Sequence, residues 1–147
     1  MPSVSSDPYG LQRFVTAQDP VYHRVCDELR AGAKRSHWMW FIFPQIAGLG
    51  HSAMAQKYAI ASRDEAVAYL RHPVLGPRLK ECTELVLAVQ DRSIHAILGS
   101  PDDVKFCSSM TLFAEVAEDS AVFRDAIARY YAGRFDPKTL AILHGAT

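Results

Sequence analysis

Cysteine is scarce in this chain, charge of one sign is not in excess, and no long hydrophobic run occurs. The three cysteines, Cys26, Cys82 and Cys107, are odd in number and widely spaced, with no C-x-x-C pair. That spacing excludes a disulfide framework, a zinc ribbon and a dithiol redox motif, and is expected of reduced thiols in a cytoplasmic protein. Sixteen basic residues balance sixteen acidic ones, leaving no net field to attract a phosphate backbone or an anionic bilayer. Neither nucleic acid nor membrane is an expected partner. The longest wholly apolar run, Trp38 to Phe43, is far too short to span a bilayer, and Met1 to Asp7 lacks the basic-then-apolar order of a leader. The six histidines never form H-x-x-x-H or H-E-x-x-H, so no helix presents a ready metal pair, and neither metal nor cofactor is implied.

What the chain does contain is enough apolar residue, 49% of 147 positions, to bury an ordinary core in one domain. Its clearest structural signal is a capping side chain placed just before a proline, which is pre-set for the first helical position. The device appears at Asp7-Pro8, Asp19-Pro20, Ser100-Pro101 and Asp136-Pro137. After Pro20, Val21, Val25, Cys26 and Leu29 recur at helical spacing, and Gly32 supplies a stop. Ser62-Arg63-Asp64-Glu65 matches a capping box and predicts a helix to about His72. Leu75, Leu79, Cys82, Val86 and Val89 form the longest apolar stripe, with Gly76 and Pro77 in its first turn.

Further helices are expected over 93–98, 101–106, 109–116, 121–132 and 137–144, several of them closed by Gly99, Gly133 or Gly145. Alternation of period two does not recur, so no large sheet is expected. The fold class is therefore mainly α: a single compact domain of about seven to nine short helices over residues 7–147, preceded by a disordered segment, 1–6.

The segment most able to carry chemistry is Lys34 to Gln45, which holds both tryptophans. As a strand, or as a short helix capped by Ser36, it is apolar on both sides and needs cover. One reading makes it the hydrophobic centre, with Lys34 and Arg35 solvated at its edge. The other makes it a ligand site. Trp38 and Trp40 can stack on a planar ring, and Lys34, Arg35 and His37 can donate to a phosphate or carboxylate, which suits a small anionic, nucleotide-derived ligand. Downstream, Gly48 and Gly50 permit backbone amides to turn toward an anion, although neither a dinucleotide fingerprint nor a P-loop is present. His51, beside them, joins His37 as a candidate acid-base or anion-binding group.

Two further clusters have capping explanations. Asp102 and Asp103 sit in the first turn of an expected helix, where its dipole favours negative charge. Cys107-Ser108-Ser109-Met110-Thr111 falls where one expected helix gives way to the next, so its hydroxyls, those of Ser108 and Ser109 above all, would cap the new helix or hold an anion at its start. A nucleophilic Cys107 would need a base or a positive neighbour that the sequence does not place. The candidate ligand set is thus Lys34, Arg35, His37, Trp38, Trp40 and His51, with Ser108 or Ser109. Catalysis with His37 or His51 as acid or base would be a second inference built on ligand binding. The competing reading is a non-catalytic protein-interaction or scaffold domain with an exposed helical face.

Three blocks carry a family resemblance: Lys34-x-x-His37-Trp38-Met39-Trp40-Phe41-x-Phe43-Pro44-Gln45, Tyr69-Leu70-x-His72-Pro73-Val74-Leu75-Gly76 and Ser108-Ser109-Met110-Thr111-Leu112-Phe113. Over residues 9 to 144 the chain resembles an uncharacterised bacterial and fungal family, the domain of unknown function 1810, sometimes labelled calpastatin. The resemblance implies a mainly helical single domain of no established activity, with no catalytic or binding residues to carry over. The calpastatin label is not supported, because calpain-inhibitory segments are disordered until bound, whereas this chain is rich in core-forming residues and helix starts.

Overall fold

A computed structural model describes residues 7–145, so the disorder expected of residues 1–6 lies outside the described residues. Ten helices follow in order: α1 (Gln12–Gln18), α2 (Tyr22–Arg30), α3 (Met39–Ile42), α4 (Ala53–Lys57), α5 (Arg63–Arg71), α6 (Leu75–Ala88), α7 (Ile94–Leu98), α8 (Asp102–Val116), α9 (Ala121–Tyr131) and α10 (Pro137–Leu143). The mainly helical class is the one the periodicity predicts. Two of the ten, α3 and α4, are single turns. The described residues contain no sheet, and one parallel bridge pairs Ile46 with Ile60.

Helices α6 and α8 are the axis of the molecule. The first packs on α2, α5 and α9, and the second on α5, α7, α9 and α10. A single buried cluster joins them, and aromatic rings run through it in sequence: Phe14 meets Tyr69 edge-on at 5.1 Å, Tyr69 meets Phe113 at 5.3 Å, and Phe113 meets Phe123 at 5.9 Å. Gln18 ties α3 to this core, its amide donating to Phe41 O at 2.7 Å and to the Tyr69 hydroxyl at 3.2 Å. Burial of each large side chain contributes about 1.5–3 kcal/mol, which makes these rings the main stabilising term.

Several expected helix starts form as drawn. Ser62 Oγ accepts from Glu65 N at 3.1 Å, while Glu65 returns a carboxylate oxygen to Ala61 N at 3.0 Å. Asp136 accepts from Thr139 N at 3.2 Å with Pro137 at the first helical position. Gly32 closes α2 with φ of 72°.

Others do not. Asp7 caps four and five residues ahead, on Leu11 N and Gln12 N, so α1 starts at Gln12 and not beside Pro8. Asp19 turns to Arg78 at 2.9 Å, leaving α2 without a side-chain cap. Neither Ser100 nor Pro101 caps α8. Helix α6 tolerates Pro77 because the first turn of a helix has no amide partners to lose. The His72 ring, through Nδ1, accepts from Val74 N at 3.1 Å and Leu75 N at 3.2 Å at that same end.

The largest correction concerns Cys107 to Thr111. The two expected segments, 101–106 and 109–116, merge into one continuous helix, α8, which starts at Asp102, and the Ser108–Ser109 pair lies in its middle. The physical reason is burial: Phe106 and every residue from Ser108 to Ala114 are buried, so over that stretch the helix has no polar face to show a period. A stretch covered all round reads as a break in the sequence pattern.

Candidate functional site

Lys34 to Pro44 leaves α2 through a loop, makes the single turn α3 and stops at Pro44. Its arrangement depends on a residue outside it, Glu28. One Glu28 oxygen accepts from Arg35 N at 2.8 Å, Ser36 N at 3.0 Å and Trp38 Nε1 at 2.9 Å, and the other accepts from the Ser36 hydroxyl. Burial pushes this carboxyl's pKa up, but the Ser36 hydroxyl, the Arg35 amide, the Trp38 indole and the Ser36 amide together outweigh it, and the value falls to about 2. The loop is an anion nest filled by the protein's own carboxylate.

Lys34 is likewise committed. Its ammonium lies 2.9 Å from Asp102 Oδ2 at the start of α8 and 5.1 Å from the Trp38 ring centroid, with its side chain 8% exposed. Its backbone N–H donates to Ile97 O at 2.7 Å. Trp38 is 1% exposed and packs on Phe43. Lys34 and Trp38 are therefore sealed together, whereas Arg35 and His37 project into solvent.

Trp40 faces elsewhere. It is half-buried, and the Lys105 ammonium stands 5.5 Å from its ring centroid, one helical turn beyond Asp102. Trp40 walls a cavity of about 130 Å³ together with Gln45, Gly48, Gly50, Gln56 and Tyr58. The Ile46–Ile60 bridge sets its floor. It uses the N–H groups of Ala47 (to Ile60 O, 2.8 Å) and Ile60 (to Gln45 O, 2.9 Å), and leaves those of Gly48 to Gly50 outside it. Gly48 has φ of 104°, a conformation closed to most side chains, and a Cβ on Gly50 would lie 2.7 Å from Ala55 Cβ. His51 is exposed beside this loop, its carbonyl accepting from Gln56 Nε2 at 3.0 Å.

The structure thus divides the candidate residues into two groups, one around Trp38 and one around Trp40, and places Ser108 and Ser109 with neither. Ser108 Oγ donates to Asp136 Oδ2 at 3.0 Å, pinning α10 to α8. Ser109 is fully buried, and among the described residues its hydroxyl has no partner. Cys107, half-buried, has its thiol pushed up to about 11 by burial and by the neighbouring Asp136 carboxylate, the reverse of what a nucleophile needs. Among the described residues no three His, Cys, Asp or Glu side chains converge as metal ligands.

Glu28 was legible in part. It follows Val21 by seven residues and Val25 by three, on the apolar stripe of α2, where an unpartnered charge would be costly. Lys105 carries no such mark, since only the tertiary fold brings its ammonium over the Trp40 ring.

The Protein of unknown function (DUF1810) family model matches residues 8–143, nearly the whole of the described fold. The chain belongs to the DUF1810 family. A crystal structure of a conserved hypothetical protein from Mycobacterium tuberculosis superimposes with a TM-score of 0.93 and 57% sequence identity, covering 94% of this chain and 99% of that one. No match was found among curated proteins. The DUF1810 chain described here has a packed core from Leu11 to Ile127, which a calpastatin-like disordered inhibitor would lack.

Proposed function

We propose that this protein binds a small anionic ligand, of nucleotide-derived or carboxylate type, at the cavity walled by Trp40. One observation carries the reading: Trp40 is half-buried, beside the Lys105 ammonium and a glycine loop whose amides take no part in the backbone bridge. An aromatic face, a nearby cation and amides outside the bridge are the donor set that an anion joined to a planar group requires.

At about 130 Å³ the cavity takes one group of such a ligand, because sites that enclose a whole drug-sized molecule run to roughly 300–1,000 Å³. The remainder would lie over the open side, where His51 is exposed. Lys34, Trp38 and the 35–36 amides support the site from behind: they are occupied by Asp102 and Glu28 and hold α3 in place.

Thermal denaturation against nucleoside monophosphates, sugar phosphates and simple dicarboxylates tests the reading. A ligand at one hundred times its dissociation constant adds about 2.7 kcal/mol of stability. The expected result is a shift for at least one compound that disappears in Lys105→Met and in Trp40→Ala. No shift across the panel, or a shift that both variants retain, overturns the proposal.

A further inference from the structure

A second concavity, larger than the one at Trp40, lies away from it. It is an open groove of about 1150 Å³ between α5, α6 and α9, closed at one end by the turn that follows α8. Its floor is apolar: Leu70, Leu87, Val116, Ala117 and Val122 pack against the core from beneath and leave the rest of their surface uncovered. Its rim is acidic. Glu84, Glu118, Asp119 and Asp125 line it against two cations, Lys80 and Arg71, and Arg71 is already engaged with Glu118 at 3.3 Å.

We infer that this groove docks an amphipathic helix of a partner protein, with apolar residues at i, i+3 or i+4 and i+7 entering the floor and Lys or Arg side chains flanking them. Size, shape and charge agree on that occupant. A helix is about 10 Å across and rises 1.5 Å per residue, so a groove of about 1150 Å³ has room for one side of a helix a few turns long. Its long walls are the helices α6 and α9, and the described residues offer no sheet edge onto which an extended peptide would add. The unbalanced carboxylates favour a basic partner and slow the approach of an acidic one.

The same charge argues against other occupants. Two copies meeting groove to groove would bring eight carboxylates against four cations, two of them already paired with Glu118, so repulsion predominates across the contact. An anionic membrane would meet the same repulsion. The inference is independent of the Trp40 site, which shares none of these residues.

A display library of random 16-residue peptides panned on the full chain tests it. The expected result is enrichment of sequences with apolar residues at helical spacing and an excess of Lys and Arg. The enriched peptides should lose at least tenfold in affinity for the double variant Glu84→Lys/Asp125→Lys, whose sites are exposed and whose folding is checked by circular dichroism. They should also compete with one another and weaken as salt rises. Failure to enrich any sequence, enrichment of acidic or non-amphipathic peptides, or affinity unchanged in the double variant overturns the inference. So does sedimentation of the unliganded chain as a dimer that the double variant dissociates, since a second copy would then be the occupant.

Discussion

Glu28 shows how much one side chain can organise. Four donors from three residues converge on its carboxylate, so the turn into α3 is set by a charge on the preceding helix. Its folded pKa, about 2, lies below the ordinary 4.5, so its contribution is complete above pH 5 and is lost as the pH falls from about 4.5 through 2. Linkage converts that difference to about 3 kcal/mol. Urea unfolding of the wild type and of Glu28→Gln should therefore differ most at pH 7 and converge toward pH 2. A gap that does not change with pH would show that the four donors do not favour the charged form. The two tryptophans are the other lesson at this scale. Adjacent in type and spacing, they part because Trp38 gives its indole N–H to a buried carboxylate while Trp40 lies against Lys105 at the surface.

At the scale of elements, the joins between helices carry the specificity. The α5–α6 corner is the tightest: a Cβ on Gly76 would lie 2.1 Å from the Leu70 carbonyl oxygen, a backbone atom that cannot swing aside. Gly76→Ala should cost about 3 kcal/mol or more, by overpacking against fixed backbone. For a domain of this size that corresponds to a fall in Tm of roughly 10 °C, measurable by calorimetry. A fall of only a degree or two would mean that the corner relaxes freely. Capping chemistry at these joins was readable where donor and acceptor are close in the chain, as at Ser62–Glu65 and Asp136–Thr139. It was misread at Asp19, which a distant group, Arg78, takes, and at Ser108, which lies inside a continuous helix and has no helix start to cap.

For the whole molecule, burial is graded from the α6–α8 axis outward. Helix α8 buries eight residues and α6 six, whereas α10 buries only Thr139 and α4 none. Native-state hydrogen exchange should follow that order, with the amides of α8 and α6 protected to the limit of global unfolding and those of α4 exchanging first. Protection of α4 equal to that of α8 would contradict it. The low stability expected of α4 is relevant to the Trp40 cavity, since Ala55 and Gln56 line it and local opening there would admit a ligand.

The helical class, the absence of a sheet among the described residues, most helix ends and the concentration of aromatic surface at Lys34 to Gln45 were determined by the amino-acid sequence alone. Each depends on residues within a few positions of one another, where periodicity, proline, glycine and capping side chains act. The tertiary structure alone decided that α8 is a single buried helix, that Glu28 and Asp102 take up the polar edge of the aromatic segment, and that Trp40 rather than Trp38 reaches solvent. Those outcomes depend on groups far apart in the chain, Lys34 with Asp102 and Trp40 with Lys105. Burial strengthens or cancels a charge only after packing has chosen its neighbours.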